Sequence, residues 1–576
     1  MAANDAKRER GENELVFLAL GGLGEVGMNC YLYGLGKGGN RRWMMVDLGI
    51  TFPEGEDDPG VDVILPDLKF IEANLRQLSG LVLTHGHEDH IGAVIELWPR
   101  LGNVPVYATP FTAALLRAKL ADYGGRLKIP ITEIPMGGRF QVGPFDCEMV
   151  TMAHSIPEPS GLAIRTPHGL VFHTGDWKFD QTPLIGDPSD EPKIQKMGEE
   201  GLLALVCDST NAFRDGRSPS EVDVAASIGR IIKSAKRRVL VTAFSSNVAR
   251  IRAVADAAHA ANRRLVVAGR ALHRVIQVAI DTGYLPQGFR YHDQREFSYI
   301  APHETVALIT GSQGEPRAAL ARISANEHPE IKLTKDDMVI FSSRTIPGNE
   351  KSVGGIQNNL ARMGIQVVTD NEALVHVTGH PRRDELQQMY AWTKPKIAIP
   401  MHGEMRHLKE HARIARTAGV EQVLTPINGE IVVLAPGRAA IVDEAPVGRI
   451  FRDGRMLIPA EGGPVRDRRK LAVVGVIAVS IVMSQRGEVL ADPQIMLDGV
   501  PTDDPRGDSV NDIVLDAIDG TLDGIPAARR RDPELVREAV RRSVRAAVDQ
   551  FWGKKPIVKV LVTVLEERQP KASKPR

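Results

Sequence analysis

The sequence predicts an α/β protein: a sandwich of sheets, interrupted by an inserted parallel α/β domain and followed by a small α+β C-terminal domain. Short β-branched or leucine-rich runs separated by turns fill the chain from residue 14 to about 210 and resume after 370. Such runs, with few helices between them, are typical of packed sheets. Between 220 and 370, helical and strand-like segments alternate, which indicates parallel βαβ units. A polar Gly/Arg/Pro stretch at 461–470 then precedes a last group of strands and helices.

The changes in the pattern of strand-like and helical segments set the predicted domain boundaries. The first part of the sandwich is expected at 1–219, the inserted domain at 220–370 and the second part of the sandwich at 371–459. A linker is expected at 460–470 and the C-terminal domain at 471–576. Within the sandwich, periodicity predicts helices near 91–100 and 111–122 and a strand over 372–380. The C-terminal domain is expected to contain strands near 471–484 and 557–566 and helices near 508–521 and 533–552.

Composition restricts the classes of function. The 576 residues include 72 Lys and Arg against 72 Asp and Glu, so a nucleic-acid partner would need a local groove rather than a basic coat. Cys30, Cys147 and Cys207 form no CxxC pair, which argues against a disulfide framework and fits a reducing cytosol. The polar N-terminus resembles no targeting segment, and the longest apolar run, 471–483, is shorter than the ~20 residues of a membrane span. We therefore expect a cytoplasmic protein with no membrane partner.

The densest group of metal-binding residue types lies at 84–90, Thr-His-Gly-His-Glu-Asp-His, directly after an apolar run. Three imidazoles and a carboxylate this close together suit a borderline-soft cation, with zinc the first choice. Other apolar runs also end abruptly in Asp or His, at Asp47, His154, Asp176, Asp208, His380 and His402. A single ending of this kind would be explained by a turn-forming residue. Six of them beside the histidine-rich motif predict one metal site at a common edge of the sandwich.

A second pattern, Gly22-Leu-Gly24-Glu-Val-Gly27 with Asp47 twenty residues on, matches the dinucleotide-binding fingerprint. That fingerprint requires a helix after the glycines, because the helix N-terminus holds the pyrophosphate. The following residues are β-type with a Gly-rich turn, which predicts a hairpin instead. A nicotinamide dinucleotide is therefore not expected.

The ordered motifs resemble a known family. HGHEDHIG, a downstream His, a Gly-Asp and a late His resemble the metallo-β-lactamase hydrolase superfamily. The insertion, with DST at 208–210, HVTGH at 376–380 and MHGE at 401–404, resembles its β-CASP nucleic-acid-processing branch. LGGLGEVGMN, VDLGITFPE, FHTGDWKFD, TGSQGEP and IPGNE are similar to bacterial ribonuclease J, and the likeness spans about 14–455. It implies an αββα metallo-β-lactamase sandwich with an inserted β-CASP domain.

The resemblance also implies a ligand set for two divalent ions, with zinc favoured and manganese as the alternative. One ion would be held by His85, His87 and His154. The other would be held by Asp89, His90 and His402, with Asp176 bridging both. Of the remaining residues in this region, Asp47 is expected to orient a liganding imidazole, unless it is only a turn residue. His380, paired with Asp208, is expected to protonate or stabilise the leaving 3′ oxygen, unless it is a structural histidine.

Substrate phosphate is expected to contact two segments that offer backbone N–H groups and hydroxyls. These are Ser245, Ser246 and Asn247 after one strand, and His376, Val377, Thr378, Gly379 and His380 after another. For Ser245 and Ser246, capping of the following helix is an equal alternative. The family pattern has Ser-Gly-His where this chain has Thr378-Gly379-His380; threonine retains the hydroxyl. Asp453 is a candidate ligand for an accessory ion.

The activity implied by the resemblance is that of a ribonuclease with 5′-to-3′ exonuclease activity on 5′-monophosphorylated RNA and with endonuclease activity, in rRNA maturation and mRNA decay. The implied partners are single-stranded RNA, further copies in a homodimer or homotetramer, and an RNA-degradation complex or the ribosome. Three alternatives stay open: a thioester, lactone or β-lactam hydrolase, a DNA-processing β-CASP nuclease, and an inactive scaffold. The insert disfavours the first, His402 the second, and the filled ligand positions the third.

Overall fold

The computed structural model describes residues 13–53, 57–346 and 348–565. Residues 1–12, 54–56, 347 and 566–576, which belong to the predicted first, inserted and last domains, lie outside the described residues. One compact unit extends to Pro459, and a second comprises the chain from Ala460 onward together with 57–61. This division falls where the sequence analysis ends the sandwich, whereas the internal boundaries at 219 and 370 stay predictions.

The first layer of the sandwich is an eight-stranded mixed sheet. The antiparallel strands Glu14–Gly21, Cys30–Gly36 and Arg42–Val46 follow one another in sequence and in space. Arg42–Val46 then pairs in parallel with Leu78–Val82. In spatial order the strands are Ala440–Glu444, Glu430–Ala435, Glu14–Gly21, Cys30–Gly36, Arg42–Val46, Leu78–Val82, Val106–Ala108 and Ile131–Glu133.

The second layer is a seven-stranded sheet. Gly169–His173, Leu202–Asp208 and Ile397–Met401 are parallel neighbours, so their carboxyl ends meet at one edge. In spatial order the strands are Gln422–Val423, Ile397–Met401, Leu202–Asp208, Gly169–His173, Ser160–Thr166, Phe145–Thr151 and Arg139–Val142.

The two sheets pack face to face around one apolar core. Phe17 and Tyr33 of the first sheet and Leu162 and Val206 of the second belong to it and are fully buried. Helices cover the outer faces, so the inner strands are buried on both sides and read as continuous apolar runs. The α-helices of this part of the chain are Lys69–Glu72, Glu88–Ile91, Val94–Leu97, Pro110–Asp122, Glu191–Glu200, Arg383–Thr393 and Met405–Thr417. The predicted αββα class is confirmed.

Two secondary-structure predictions for the sandwich were wrong. The helix expected near 91–100 is divided into Glu88–Ile91, Val94–Leu97 and the 3₁₀ turn Trp98–Leu101, which has a proline in its first turn. The segment 372–380 is not a strand. The backbone carbonyl of Val375 accepts hydrogen bonds from the side chains of Arg250 and Ser342. The alternating apolar residues of this segment therefore reflect burial of an irregular chain.

The inserted domain is built on a six-stranded parallel sheet, as predicted. Its strands in spatial order are His292–Asp293, Arg264–Ala268, Thr305–Ile309, Val239–Thr242, Met338–Phe341 and Gln366–Val368. The α-helices between them are Glu221–Ser234, Val248–Ala260, Arg270–Asp281, Ala319–Ser324 and Glu350–Arg362. Ser220 begins the first of these helices with a capping box, in which Asp223 completes the reciprocal bond.

The C-terminal unit packs two helices, Val510–Gly524 and Pro533–Trp552, against three strands. Val476–Ser484 is the central strand, antiparallel to Val489–Asp498 and parallel to Ile557–Leu565. Val489–Asp498 was not predicted, because its residues are mostly exposed. The predicted linker at 460–470 is largely the helix Gly463–Val474. Proline in its first turn and several Arg and Lys residues favour this helix, and it takes in 471–474, expected as strand.

Two small sheets complete the first unit. Leu23–Gly24 pairs in parallel with Gly403–Glu404, which places the glycine-rich segment beside His402. Met456–Pro459, Arg449–Asp453 and Val63–Pro66 form an antiparallel sheet. The strand Cys30–Gly36 stands where a dinucleotide fold would need a helix. Every helix in the described residues is too short or too polar to cross a membrane.

Candidate metal centre

The structure brings together the seven side chains that were expected as metal ligands. His85 and His87 follow the strand Leu78–Val82 of the first sheet, and Asp89 and His90 lie on the short helix Glu88–Ile91 that comes next. The second sheet delivers others at the ends of Gly169–His173 and Ile397–Met401. Two groups of expected ligands share the Asp176 carboxylate: His85, His87, His154 and Asp176, and Asp89, His90, Asp176 and His402. A third group that could hold an ion joins Asp176 and His402 to Asp208 and His380.

The first group consists of three imidazoles facing Asp176. His87 Nδ1 lies 3.1 Å from both His85 Nε2 and His154 Nε2. Asp176 Oδ2 is 3.8 Å from those same two nitrogens. These atoms surround a space small enough for one cation to contact all of them.

The second group combines two imidazoles with two carboxylates. His90 Nε2 lies 3.2 Å from Asp176 Oδ2 and 3.6 Å from Asp89 Oδ2. His402 Nε2 is 3.1 Å from Asp89 Oδ2. A site with two imidazole nitrogens and two carboxylates suits zinc or manganese.

Two features of these residues fit divalent metal binding. Asp176 Oδ1 is buried and has no hydrogen-bond partner among the described residues, which is costly unless a cation satisfies it. The imidazoles are oriented by their other nitrogens, as in known metal sites. His154 Nδ1 donates to the carbonyl of Gly379 at 2.6 Å, which leaves Nε2 for a cation.

Electrostatics separates the two groups. Burial lowers the pKa of His85 and His154 well below its usual value, with neighbouring imidazoles adding to the effect. Burial also lowers the pKa of His87 to about 4. These three imidazoles are therefore neutral at pH 7 and can donate a lone pair to a cation.

In the second group, burial would lower the pKa of His90 and His402, but nearby carboxylates outweigh it. Asp176 and Asp89 raise the pKa of His90 well above its usual value. Asp176 contributes most to raising the pKa of His402 to about 10. The pKa of Asp176 itself is lowered, because His402 and His90 outweigh its burial. The acidic residues thus create a demand for positive charge that a divalent cation can meet in place of the protons.

Asp47 occupies the position expected of an orienting residue. It is fully buried at the end of Arg42–Val46 and has a left-handed φ of 61°. Its Oδ2 lies 2.7 Å from His90 Nδ1, and its Oδ1 accepts the backbone N–H of Thr84 at 2.8 Å. A non-glycine residue in this conformation is strained, and such strain is concentrated at functional sites. His402, with φ of 51°, shares it.

His380 and Asp208 form a pair beside the shared carboxylate. His380 Nδ1 lies 2.7 Å from Asp208 Oδ2 and 3.9 Å from Asp176 Oδ2. Burial would lower the pKa of His380, but Asp208 and then Asp176 raise it. The two carboxylates therefore favour the protonated form of this imidazole.

Sequence comparisons match successive parts of the chain to four described domains. They are the "Beta-lactamase superfamily domain" at 58–190, the "Ribonuclease J, beta-CASP domain" at 236–360, the "Zn-dependent metallo-hydrolase RNA specificity domain" at 364–426 and the "Ribonuclease J C-terminal domain" at 463–565. Ribonuclease J of Sinorhizobium meliloti is 50% identical over 552 residues, which cover 96% of this chain and 98% of that protein. The chain belongs to the ribonuclease J family.

More distant ribonuclease J proteins agree. That of Corynebacterium glutamicum is 39% identical over 95% of this chain and 75% of its own length. That of Thermus thermophilus is 35% identical over 82% of this chain and 83% of its own length. The crystal structure of a protein of unknown function from Enterococcus faecalis has a TM-score of 0.50 at 16% identity, covering 73% of this chain and 100% of that one. It supports the fold alone.

The ribonuclease J motif at 376–380 surrounds the His380–Asp208 pair. Thr378 Oγ1 accepts the side-chain amide of Asn211 at 2.8 Å and the backbone N–H of His380 at 3.2 Å. A Cβ atom at Gly379 would lie 2.3 Å from His154 Nδ1, so only glycine fits there. Val377 is buried, and the pKa of His376 is lowered by burial and by Arg250.

The second predicted phosphate segment is only partly available. Asn247 is buried and caps the helix Val248–Ala260, accepting the backbone N–H of Arg250 at 2.8 Å. The capping role weighed for Ser245 and Ser246 is therefore filled by Asn247, and the two serines are partly exposed. Asp453 lies in the strand Arg449–Asp453 and belongs to none of the ligand groups found in the described residues.

Three residues that contact or adjoin these side chains were missed by sequence reasoning. Thr210 Oγ1 donates to Asp208 Oδ1 and lies 2.8 Å from His402 Nδ1. Asn29 places its side-chain amide 3.0 Å from His90 Nε2. Glu385 is fully buried and accepts the backbone N–H of Arg382, two residues after His380. Thr210 and Asn29 stand within the motifs DST and LGGLGEVGMN, but motif membership did not indicate which atoms they contact.

Proposed function

We propose that this chain removes nucleotides from 5′-monophosphorylated RNA in the 5′-to-3′ direction and also cuts RNA internally. Membership in the ribonuclease J family makes it a nuclease that hydrolyses RNA phosphodiester bonds. The observation that carries the proposal is the pair of His/Asp groups sharing Asp176, with His380 and Asp208 beside them.

The two groups fit two divalent ions per chain, and their nitrogen-rich donors favour zinc over manganese. When bound, such a pair supplies an activated water and neutralises phosphate oxygens in an in-line displacement. Asp47 fixes the orientation of His90 through a 2.7 Å contact. His154 is fixed in the same way by the carbonyl of Gly379.

His380 supplies a proton to the leaving 3′ oxygen. Asp208 holds its Nδ1 at 2.7 Å, and Asp208 and Asp176 outweigh burial and raise the pKa of His380, which favours the protonated imidazole. A general acid placed in this way typically accelerates a reaction ~10²–10⁴-fold. Ser245, Ser246 and the segment 376–380 contact substrate phosphate through hydroxyl and backbone N–H groups.

The polymer substrate is single-stranded RNA, threaded between the sandwich and the inserted domain. Matches to a metallo-hydrolase RNA specificity domain at 364–426 support RNA over DNA. We further propose a homodimer or homotetramer in the cytoplasm, working in rRNA maturation and mRNA decay with an RNA-degradation complex or the ribosome.

One assay tests the activity. Matched RNAs bearing a 5′ monophosphate, triphosphate or hydroxyl, and a DNA of the same sequence, are incubated with and without chelator. We expect mononucleotides only from monophosphorylated RNA, internal cuts in all three RNAs, and no product with chelator. Equal release from all three 5′ ends, or cleavage of the DNA, would contradict the proposal.

A further inference from the structure

Glu385 makes more hydrogen bonds than its place in a helix requires. It is the third residue of Arg383–Thr393, and its Oε2 accepts the N-cap N–H of Arg382 at 2.9 Å. A capping glutamate can do this from the surface, but Glu385 is fully buried. Its carboxylate accepts two further backbone N–H groups, from Phe179 at 2.8 Å and from Ser218 at 2.9 Å.

Two of the three donors come from the segments that carry Asp176 and His380. Phe179 lies three residues after Asp176, and Arg382 lies two residues after His380. Ser218 connects to the same place, because its hydroxyl donates to the carbonyl of His380 at 3.0 Å. Glu385 thus ties the Asp176 segment and the His380 segment to one carboxylate.

We propose that Glu385 is a positioning residue for phosphodiester cleavage, holding the His380 segment at its distance from Asp176 through three backbone N–H groups. Among the described residues, the hydrogen bonds of the Glu385 carboxylate go to these three backbone N–H groups and to none of the expected ligand side chains, so it acts by fixing the position of His380. This rests on the role of His380 in the proposed function.

Glu385→Gln tests the proposal with little change of shape. A glutamine has one side-chain oxygen, so its amide group must face at least one of the three N–H donors. Because misplacing a reacting group by ~1 Å can cost 10²-fold, we expect kcat on a 5′-monophosphorylated RNA to fall about 10–100-fold. KM and the metal content should change less than kcat, because the substitution removes no expected ligand and no phosphate-contacting group.

The decisive readout is the same substitution in a His380→Gln background. If Glu385 acts through His380, Glu385→Gln should lower kcat there by less than about twofold, because coupled residues are not additive. Glu296→Gln is the matched control. Glu296 also accepts an N-cap N–H, that of Asp293 at 3.2 Å, but it is exposed in the inserted domain. It should leave kcat at the wild-type value.

The proposal would be overturned if Glu385→Gln lowered kcat by the same factor with and without His380. It would also be overturned if Glu385→Gln left kcat at the wild-type value, or if it raised KM without lowering kcat. If Glu385→Gln does not fold, Ser218→Ala takes its place, because it removes only the hydroxyl that binds the His380 carbonyl. It should lower kcat about 3–10-fold, again only when His380 is present. A His380→Gln protein with wild-type kcat would overturn both this proposal and the role of His380, whereas a slow His380→Gln with an unaffected Glu385→Gln would overturn this proposal alone.

Discussion

Substituting Asp47 by asparagine tests whether the orienting carboxylate controls metal affinity. In the native protein Oδ1 accepts the N–H of Thr84 at 2.8 Å, and Oδ2 faces His90 Nδ1 at 2.7 Å. Asparagine can keep only one of these bonds. If it keeps the Thr84 bond, its NH₂ faces His90 Nδ1, and the imidazole must place its proton on Nε2. That nitrogen lies 3.2 Å from Asp176 and is the one available to a cation.

Losing such an orienting partner typically weakens metal binding 10–100-fold, about 1.4–2.7 kcal/mol. We expect this loss in competitive zinc titrations, with activity recovered at high metal concentration. Asp337→Asn is the matched control, since Asp337 is also fully buried and accepts the N–H of Thr334 at 2.8 Å, but in the inserted domain. Unchanged zinc affinity in Asp47→Asn, or equal loss in Asp337→Asn, would refute the reasoning.

Three further predictions concern the same unit. His380→Gln should lower kcat ~10²–10⁴-fold at unchanged metal content; a loss confined to KM would contradict this. Metal-free protein, verified by mass spectrometry, should be inactive and regain activity with Zn²⁺ or Mn²⁺; activity without metal would refute the centre. His411 is buried, and burial lowers its pKa to about 4 in the folded protein. Because this imidazole has its usual pKa of ~6.5 in the unfolded chain, protons bind the unfolded state more strongly below pH 6.5, and the free energy of unfolding falls by ~2 kcal/mol at pH 5. In thermal unfolding of the chelator-treated proteins, wild type should exceed His411→Gln in Tm by less at pH 5 than at pH 7. An equal difference in Tm at both pH values would count against this.

The sequence predicted most of the fold because its strongest signals are local. Buried strands between two covering layers are continuous apolar runs, and their direction brings the residues that follow them to one edge. The convergence of Asp47, His154, Asp176 and His402 could therefore be anticipated from strand endings. The strand Val489–Asp498 was missed because it is largely exposed, so its sequence has no apolar alternation.

The segment before His380 shows where local signals fail. Val375 and Val377 are buried, which imitates a strand, but the partners of this backbone are side chains distant in sequence. Glu385 was missed for the same reason, since a capping-box glutamate looks alike whether it binds one N–H group or three. Periodicity reports burial and cannot report which distant atoms a buried polar group contacts.

The segment before His380 also connects the inserted domain to the reacting residues through hydrogen bonds. Arg250 of the helix Val248–Ala260 is fully buried, donates to the carbonyl of Val375 at 2.7 Å and pairs with Glu221 at 2.7 Å. Arg250→Lys retains the charge but not the two-pronged donor, so it cannot satisfy both partners. We expect lower thermal stability and a several-fold lower kcat at unchanged metal content, because an unsatisfied buried acceptor costs ~1–3 kcal/mol.

Arg263→Lys separates this effect from general loosening of the insert. Arg263 also donates to a backbone carbonyl, that of Arg237 at 2.7 Å, but both residues lie within the inserted domain. It should cost stability with kcat unchanged. If the two variants lose the same fraction of kcat, the insert does not act on His380 through Val375. If only Arg250→Lys slows turnover, the insertion contributes to catalysis by fixing the chain that returns to the sandwich, in addition to enclosing the substrate.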